Sequence, residues 1–255
     1  MNGPRVIVTR PQAQALAWVR ALTDRGVDAL ALPLIDITPA PDPAPVRQAW
    51  RRLSDLDFVM FVSANAVEHF FALRPAGGSW PSGLRAGSTG QGTTSALRAC
   101  GVPDQAISRP GPGQTSESES LWSQIGHESW QGRRVLVVRG EDGRHWLADQ
   151  LQGAGATVEF LVAYQRHAPT WGAAQAALIA EALIAPREHL WLFSSSEAVG
   201  HLRALVPSAD WSSSQGLATH LRIERAARDL GFAQVTLVEP AIQAVAAWVL
   251  RGARP

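Results

Sequence analysis

The chain contains a single tyrosine, Tyr164, at the end of the apolar segment VEFLVAYQRHAP, residues 158–169. A phenol in that place can donate a proton into a neighbouring cavity. A half-buried aromatic with its hydroxyl in water is the competing reading. The other candidates are small and hydroxyl residues that follow strand-like segments. Ser63, Ala64 and Asn65 follow one such segment, and Ser194, Ser195 and Ser196 follow another. Thr9 and Arg10 end the first segment of the chain, and Arg139 and Gly140 end a similar one that leads into GEDGR, residues 140–144. TGQGTT, residues 89–94, holds Gly90, Gln91 and Thr93, and THLR, residues 219–222, holds His220 and Arg222. Both precede helical patterns. Free N–H groups at helix starts attract carboxylates and phosphates, and Arg10, Arg139, Arg144 and Arg222 would add fixed positive charge. Ordinary N-capping, worth about 1 kcal/mol per site, competes at each position. Two domains carrying several such ends across a cleft would suit a ligand with many anionic groups.

Composition narrows the chemistry. All 23 basic side chains are arginine, which removes a P-loop lysine and Schiff-base chemistry. Cys100 is the only cysteine, so internal disulfides, iron–sulfur clusters and cysteine zinc sites are excluded. The seven histidines show no H-E-x-x-H spacing. His69 and His201 take equivalent helical positions, which predicts helix packing rather than ligation. No G-x-S-x-G elbow occurs, and TGQGTT lacks the full dinucleotide fingerprint. Glu141 and Asp142 fall in a turn expected to be solvated, a poor setting for a general acid. No metal and no cofactor are expected. A net charge of +1 gives no nucleic-acid footprint, and no apolar run approaches the roughly 20 residues of a membrane span. The start MNGPRV leads straight into a strand-like segment, so no secretory leader is expected and a cytoplasmic location is. No long apolar stripe demands a second copy, so a monomer is expected.

The elements that must carry these residues occur twice. RVIVTRP begins at Arg5 and returns as RVLVVRG at Arg134. FVSANAV begins at Phe61 and returns as FSSSEAV at Phe193. ALRACGV, ending at Val102, returns as AARDLGF, ending at Phe232. The three matches keep one order and nearly one offset, close to half the chain. Such a period is too long for a solenoid and reads as two related domains. Continuous apolar runs (Val6–Val8, Phe58–Val62, Val135–Val138, Leu190–Phe193, Val235–Val238) fit buried parallel strands. Helical spacing separates them, as in Leu16, Val19, Leu22 or Leu147, Leu151, Ala154, and Gly26, Gly101, Gly155 and Gly231 stand where helices should stop. The fold class is α/β: two parallel sheets with helices on both faces. The proline-rich Pro39–Pro45 stretch is the linker candidate, with Arg166–Thr170 as its counterpart. These give one domain of residues 1–37 plus 167–255 and another of 40–164, with linkers near 38–39 and 165–166. A single cut near 130 is the alternative. GPGQTSESES, residues 111–120, reads as a polar, mobile loop.

Five motifs, VTRPQAQA with LPLIDITP, FVSANAVEHFF, VLVVRGEDGRHWLADQLQGAGATVEFLVAYQR, FSSSEAV and ATHLRIERAARDLGF, span nearly the whole chain. Their order and spacing resemble the uroporphyrinogen-III synthase family. The resemblance implies two flavodoxin-like domains joined by a two-stranded linker. It implies a cofactor-free lyase that cyclises hydroxymethylbilane to uroporphyrinogen III, losing water and inverting ring D through a spiro intermediate. The substrate, a linear tetrapyrrole with eight carboxylates, would be gripped by a two-domain clamp after transient handover from hydroxymethylbilane synthase. Tyr164 matches a family tyrosine proposed to assist departure of the hydroxyl. Thr93 matches the threonine of a glycine-proline-x-threonine loop in which Gln91 replaces the proline. Ser63–Asn65 and Ser194–Ser196 match the two strand-end loops, and Arg144 matches a basic position. Where the family reads glycine-proline-threonine-threonine, this chain reads His220-Leu221-Arg222-Ile223, so positive charge from His220 and Arg222 is expected there. Two other classes compete: a non-catalytic two-lobed sensor for an anionic small molecule, and a nucleotide enzyme, which would lack its phosphate loop.

Overall fold

A strand can be apolar at every position only when both faces of its sheet are covered. FVMF (Phe58–Phe61) is such a strand, HLWLF (His189–Phe193) is apolar from Leu190 onward, and every residue in both is buried. The computed structural model describes residues 3–111, 118–141 and 145–252. The chain divides into two units, Met1–Asp36 with His167–Pro255, and Ile37–Arg166. Elements below are numbered in chain order.

The first unit holds β1 (Arg5–Val8), β2 (Ala29–Ala31), β9 (His189–Phe193), β10 (Gln215–Ala218) and β11 (Gln234–Leu237). They pair in parallel in the order β11-β10-β9-β1-β2. Counted within the unit, that is the 2-1-3-4-5 order of flavodoxin-like sheets. On one face, Leu22 of α1 (Gln12–Thr23) and Val245 and Val249 of α10 (Ile242–Gly252) pack on Val6, Val8, Leu190 and Leu192. The other face carries an aromatic cluster of Trp191, Phe193, Trp211 and Phe232, with ring centroids 5.3–6.0 Å apart. Two further helices, α8 (Ser196–Leu205) and α9 (Leu221–Leu230), follow β9 and β10.

The second unit holds β3 (Asp36–Pro39), β4 (Phe58–Phe61), β5 (Arg85–Ser88), β6 (Ile107–Ser108), β7 (Arg134–Gly140) and β8 (Thr157–His167), in the order β3-β8-β7-β4-β5-β6. Trp50 of α2 (Ala44–Arg51), Phe70 of α3 (Ala64–Phe71) and Leu97 of α4 (Gln91–Ala99) cover one face. Leu121 of α5 (Ser118–Ile125) and Leu147 and Leu151 of α6 (Trp146–Gly153) cover the other.

The duplication is preserved in the strand register. Phe58 pairs with Val135 and Arg85 in unit two, as Leu190 pairs with Val6 and Gln215 in unit one. Val135 pairs with Val158 as Val6 pairs with Ala29. Sequence repeats and folded units are nevertheless out of phase. The first repeat gives β1 and β2 to unit one but β4, β5 and β6 to unit two, and the second repeat does the reverse.

Gly26, Gly101, Gly155 and Gly231 lie just past helices with φ between 78° and 120°, a region that favours glycine. Pro39–Pro45 is a strand end and a helix start rather than a spacer. Pro43 is the N-cap of α2, Pro45 lies in its first turn, and Ala44 N–H donates to Asp42 Oδ1 at 2.8 Å. A proline in a first helical turn gives up an N–H that has no helical partner anyway. Ser118–Ser120 of the expected polar loop begin α5, and residues 112–117 lie outside the described residues. Among the described residues no helix is long and apolar enough to cross a membrane.

Candidate active site

Ligands of open α/β sheets bind at the carboxyl ends of the strands, where helix N-termini are also presented. In unit two β4 ends at Phe61 and α3 begins at Ala64. Ser63 between them is extended, and its Oγ accepts the Ala66 N–H at 3.1 Å, an N-cap. The same oxygen lies 3.1 Å from the Tyr164 hydroxyl. Tyr164 is 4% exposed and belongs to the same core cluster as Leu161 and Ala163, so it is buried rather than half-buried. An irregularity in the β7–β8 pairing at Arg139/Gly140 sets Gly140 opposite Tyr164. His69 of α3 stacks on the phenol, centroids 5.8 Å apart and planes 20° off parallel. Burial holds the His69 imidazole below its ordinary pKa, with Glu68 partly opposing.

The loop before α4 is tied to the same rim: Thr89 Oγ1 donates to the Val62 carbonyl at 3.2 Å. Gly90 is the N-cap of α4, and Ser88 Oγ donates to its carbonyl at 2.9 Å and lies 2.9 Å from Thr94 Oγ1. Gln91 is exposed. Thr93 is mostly buried, and its hydroxyl has no protein partner among the described residues. Ser63, Ala64, Asn65, Tyr164 and the Gly90–Thr93 turn are thus brought together at one edge of the unit.

The repeat-related arginines differ. Arg139 is 6% exposed; its Nε donates to Gly140 O at 3.0 Å, one terminal nitrogen to Glu141 O at 3.1 Å, and the other lies 3.2 Å from His145 Nε2. It braces the end of β7. Arg10 in unit one lies over Trp18 at 4.4 Å and reaches Gln14 Oε1 at only 3.5 Å. Its buried Nε has no hydrogen-bond partner among the described residues, and desolvation disfavours its charged form. Arg144 lies outside the described residues.

Elsewhere in unit one, Thr9 is 1% exposed and its hydroxyl donates to Leu192 O at 2.7 Å, tying β1 to β9. Ser194 and Ser196 flank Ser195, the N-cap of α8, whose side chain makes no capping bond, unlike its repeat mate Ser63. His220 is the N-cap of α9, and its Nδ1 accepts the Arg222 N–H at 3.1 Å. That bond occupies the Nδ1 side of the ring, and the His220 residue is exposed. The Arg222 side chain is exposed. His201, the mate of His69, places Nδ1 2.6 Å from Leu34 O. Sequence reasoning missed the contributions of Ser88, Thr94 and Trp18, and missed that His69 meets Tyr164. Only the paired histidines at one repeat offset signalled the last of these.

Comparison with known proteins matches this chain to one family. The family model described as uroporphyrinogen-III synthase HemD covers residues 17–247. A uroporphyrinogen-III synthase of Proteus mirabilis is 30% identical over 162 residues, 63% of this chain and 79% of that protein. That of Escherichia coli strain K12 is 27% identical over 244 residues, 92% of this chain and 95% of its own length. The crystal structure of a mutant uroporphyrinogen III synthase from Thermus thermophilus shares the fold, with a TM-score of 0.60 at 18% identity over 98% of this chain and 96% of that one. A parallel-sheet pair with a capped, tyrosine-bearing strand edge, matched by one family model along most of its length, belongs to the uroporphyrinogen-III synthase family.

Proposed function

We propose that this chain cyclises hydroxymethylbilane to uroporphyrinogen III, with loss of water and inversion of ring D. The observation that carries the reading beyond family membership is the Tyr164 phenol, fixed 3.1 Å from Ser63 at the carboxyl edge of its sheet. Departure of the terminal hydroxyl needs a proton, and Tyr164 supplies it. The C–O bond breaks with its electron pair leaving on oxygen, and the protonated group departs as water. A cation remains on the terminal methylene. The substituted carbon of ring D supplies the pair for the first new bond and gives the spiro intermediate. Its older bond to the ring C methylene then breaks and re-forms at the free carbon of ring D, and the proton lost from that carbon restores the phenol. The linear substrate also closes unaided to the symmetric isomer, so the enzyme's contribution is chiefly orientation and charge stabilisation.

The anionic substrate needs donors and positive charge. Arg10 is suited to a carboxylate, because a part-buried guanidinium whose Nε has no partner among the described residues is costly and a carboxylate relieves that cost. The Ser195 hydroxyl is free of capping, and the Thr93 hydroxyl has no protein partner among the described residues. The proposed carboxylate contacts belong to each unit by itself: Ser194, Ser195 and Ser196 in unit one, and Gln91, Thr93 and the N–H groups at Ala64, Asn65 and Gly90 in unit two. Arg144 and Arg222 add charge, His220 adds an exposed imidazole, and Thr9, Arg139 and Gly140 hold strand ends in place. We also propose a cytoplasmic monomer that receives substrate directly from hydroxymethylbilane synthase. The spontaneous closure of the free substrate gives handover its advantage.

Incubation with freshly generated hydroxymethylbilane, oxidation and isomer separation tests the reading. Type III product above the uncatalysed background is expected. Type I product alone, at the uncatalysed rate, overturns it.

A further inference from the structure

We infer that Ser63 is the outward-facing end of a two-hydroxyl relay through which Tyr164 delivers its proton. The inference rests on the proposed function and names the atom that meets the departing hydroxyl.

The argument is one of lone pairs and protons. A serine hydroxyl has one proton and can accept two bonds. Ser63 Oγ already accepts the Ala66 N–H at 3.1 Å, which leaves one acceptor site and one proton. Tyr164 Oη lies 3.1 Å from that oxygen, and Ser63 is its hydrogen-bond partner among the described residues. His69 cannot take the phenolic proton, because its ring lies nearly parallel to the phenol, 20° off, rather than edge-on to the hydroxyl. Tyr164 is 4% exposed, so an undonated phenolic proton would be a buried, unsatisfied donor. Either hydroxyl can donate at this distance; the relay takes Tyr164 as the donor, which fills both acceptor sites of the serine. Its own proton is left to point away from the core, and Ser63 is the more exposed of the two residues.

The balanced step follows. Ser63 gives its proton to the departing hydroxyl oxygen, the C–O bond breaks, and water leaves with the pair. Ser63 takes the Tyr164 proton in the same movement, so the serine ends unchanged and the phenol becomes a phenolate. The proton released when the macrocycle closes restores it. Ser63 is then the residue that touches substrate, and Tyr164 acts through it.

The test uses Ser63→Gly, Ser63→Thr, Tyr164→Phe and the double variant Ser63→Gly/Tyr164→Phe. Glycine is a tolerated N-cap, so the first variant removes the hydroxyl while sparing α3, and threonine keeps both cap and hydroxyl. Turnover should fall by roughly 100-fold or more in Ser63→Gly and in Tyr164→Phe, with KM little changed. The double variant should be no slower than the slower single, and Ser63→Thr should restore most of the rate. Tyrosine labelled with 13C at Cζ gives one resonance, because the chain has one tyrosine. That resonance should move in Ser63→Gly and hold in Ser63→Thr. Wild-type turnover in Ser63→Gly, an unmoved resonance, or losses that multiply in the double variant would overturn the relay. Failure of the wild-type chain to form type III product would instead overturn the proposed function, so the two failures are distinct.

Discussion

Gly140 and Tyr164 oppose each other across the β7–β8 pairing so closely that a Cβ on Gly140 would lie 3.0 Å from Tyr164 Cζ and 3.4 Å from its hydroxyl oxygen. The ring is held from the other side by His69 and from its tip by Ser63, so it has little room to yield. Gly140→Ala should therefore displace the phenol. A stability loss of about 1 kcal/mol from overpacking is expected, with turnover falling roughly tenfold, since a small misplacement of a reacting group is expensive. Thermal melts and isomer-resolved assays check both.

Removing the phenolic oxygen separates chemistry from folding. Tyr164→Phe keeps the buried ring and loses one hydrogen bond, a change of about 1 kcal/mol or less in stability. Type III formation should nevertheless fall by about 100-fold or more. A variant that turns over like the wild type would reduce Tyr164 to a packing residue.

The two repeat-related arginines should respond in opposite senses. Arg10→Met removes a desolvated charge with no counter-ion among the described residues and should leave stability unchanged or raise it by about 1 kcal/mol. It should also raise KM roughly tenfold or more, the worth of a charged hydrogen bond. Arg139→Met leaves the carbonyls of Gly140 and Glu141 short of donors and should cost about 2 kcal/mol of stability. Denaturant titrations beside substrate saturation curves distinguish the pair.

Salt should weaken substrate binding. The proposed arginine contacts to a polyanion are screened as ionic strength rises. KM should therefore climb between low and high salt, and climb less in Arg144→Ala, which should bind more weakly at low salt. A salt-independent KM would contradict the arginine contacts.

Acid should loosen the Tyr164 neighbourhood through His69. Burial holds its folded-state pKa below the ordinary value of 6.5. Below about pH 6.5 the unfolded chain takes up a proton that the folded one resists, so stability falls as pH falls through that value toward the folded-state pKa. Above it, this contribution is fully present. Melting temperatures at pH 7.5 and 5.5 should differ less in His69→Phe than in the wild type.

Much of the architecture is legible in the residues. Unbroken apolar runs such as FVMF declare strands covered on both faces, and three matched segments at nearly one offset declare a duplication. Four glycines past helix ends mark their stops because the backbone there has positive φ. The site is legible as a set of places, not as a set of roles. Arg10 and Arg139 look alike in sequence. A strand irregularity at Arg139/Gly140 and the nearby carbonyls satisfy one, while the other is left over Trp18 without a counter-charge among the described residues. Ser63 and Ser195 share a motif, yet only Ser63 caps its helix through its side chain. Such differences depend on neighbours brought in by tertiary packing. Pro39–Pro45 has two readings for a related reason: proline punctuates linkers and also opens helices.

The phase mismatch between repeat and unit has a consequence for synthesis. As the nascent chain leaves the ribosome, β1 and β2 emerge first and find no third strand to pair with. The nested Ile37–Arg166 segment is complete while β9, β10 and β11 are still untranslated. It can condense alone, with the early pair waiting as an unfinished sheet edge. A gene cut midway between the repeats would leave two fragments, each with strands for both sheets and the full complement of neither.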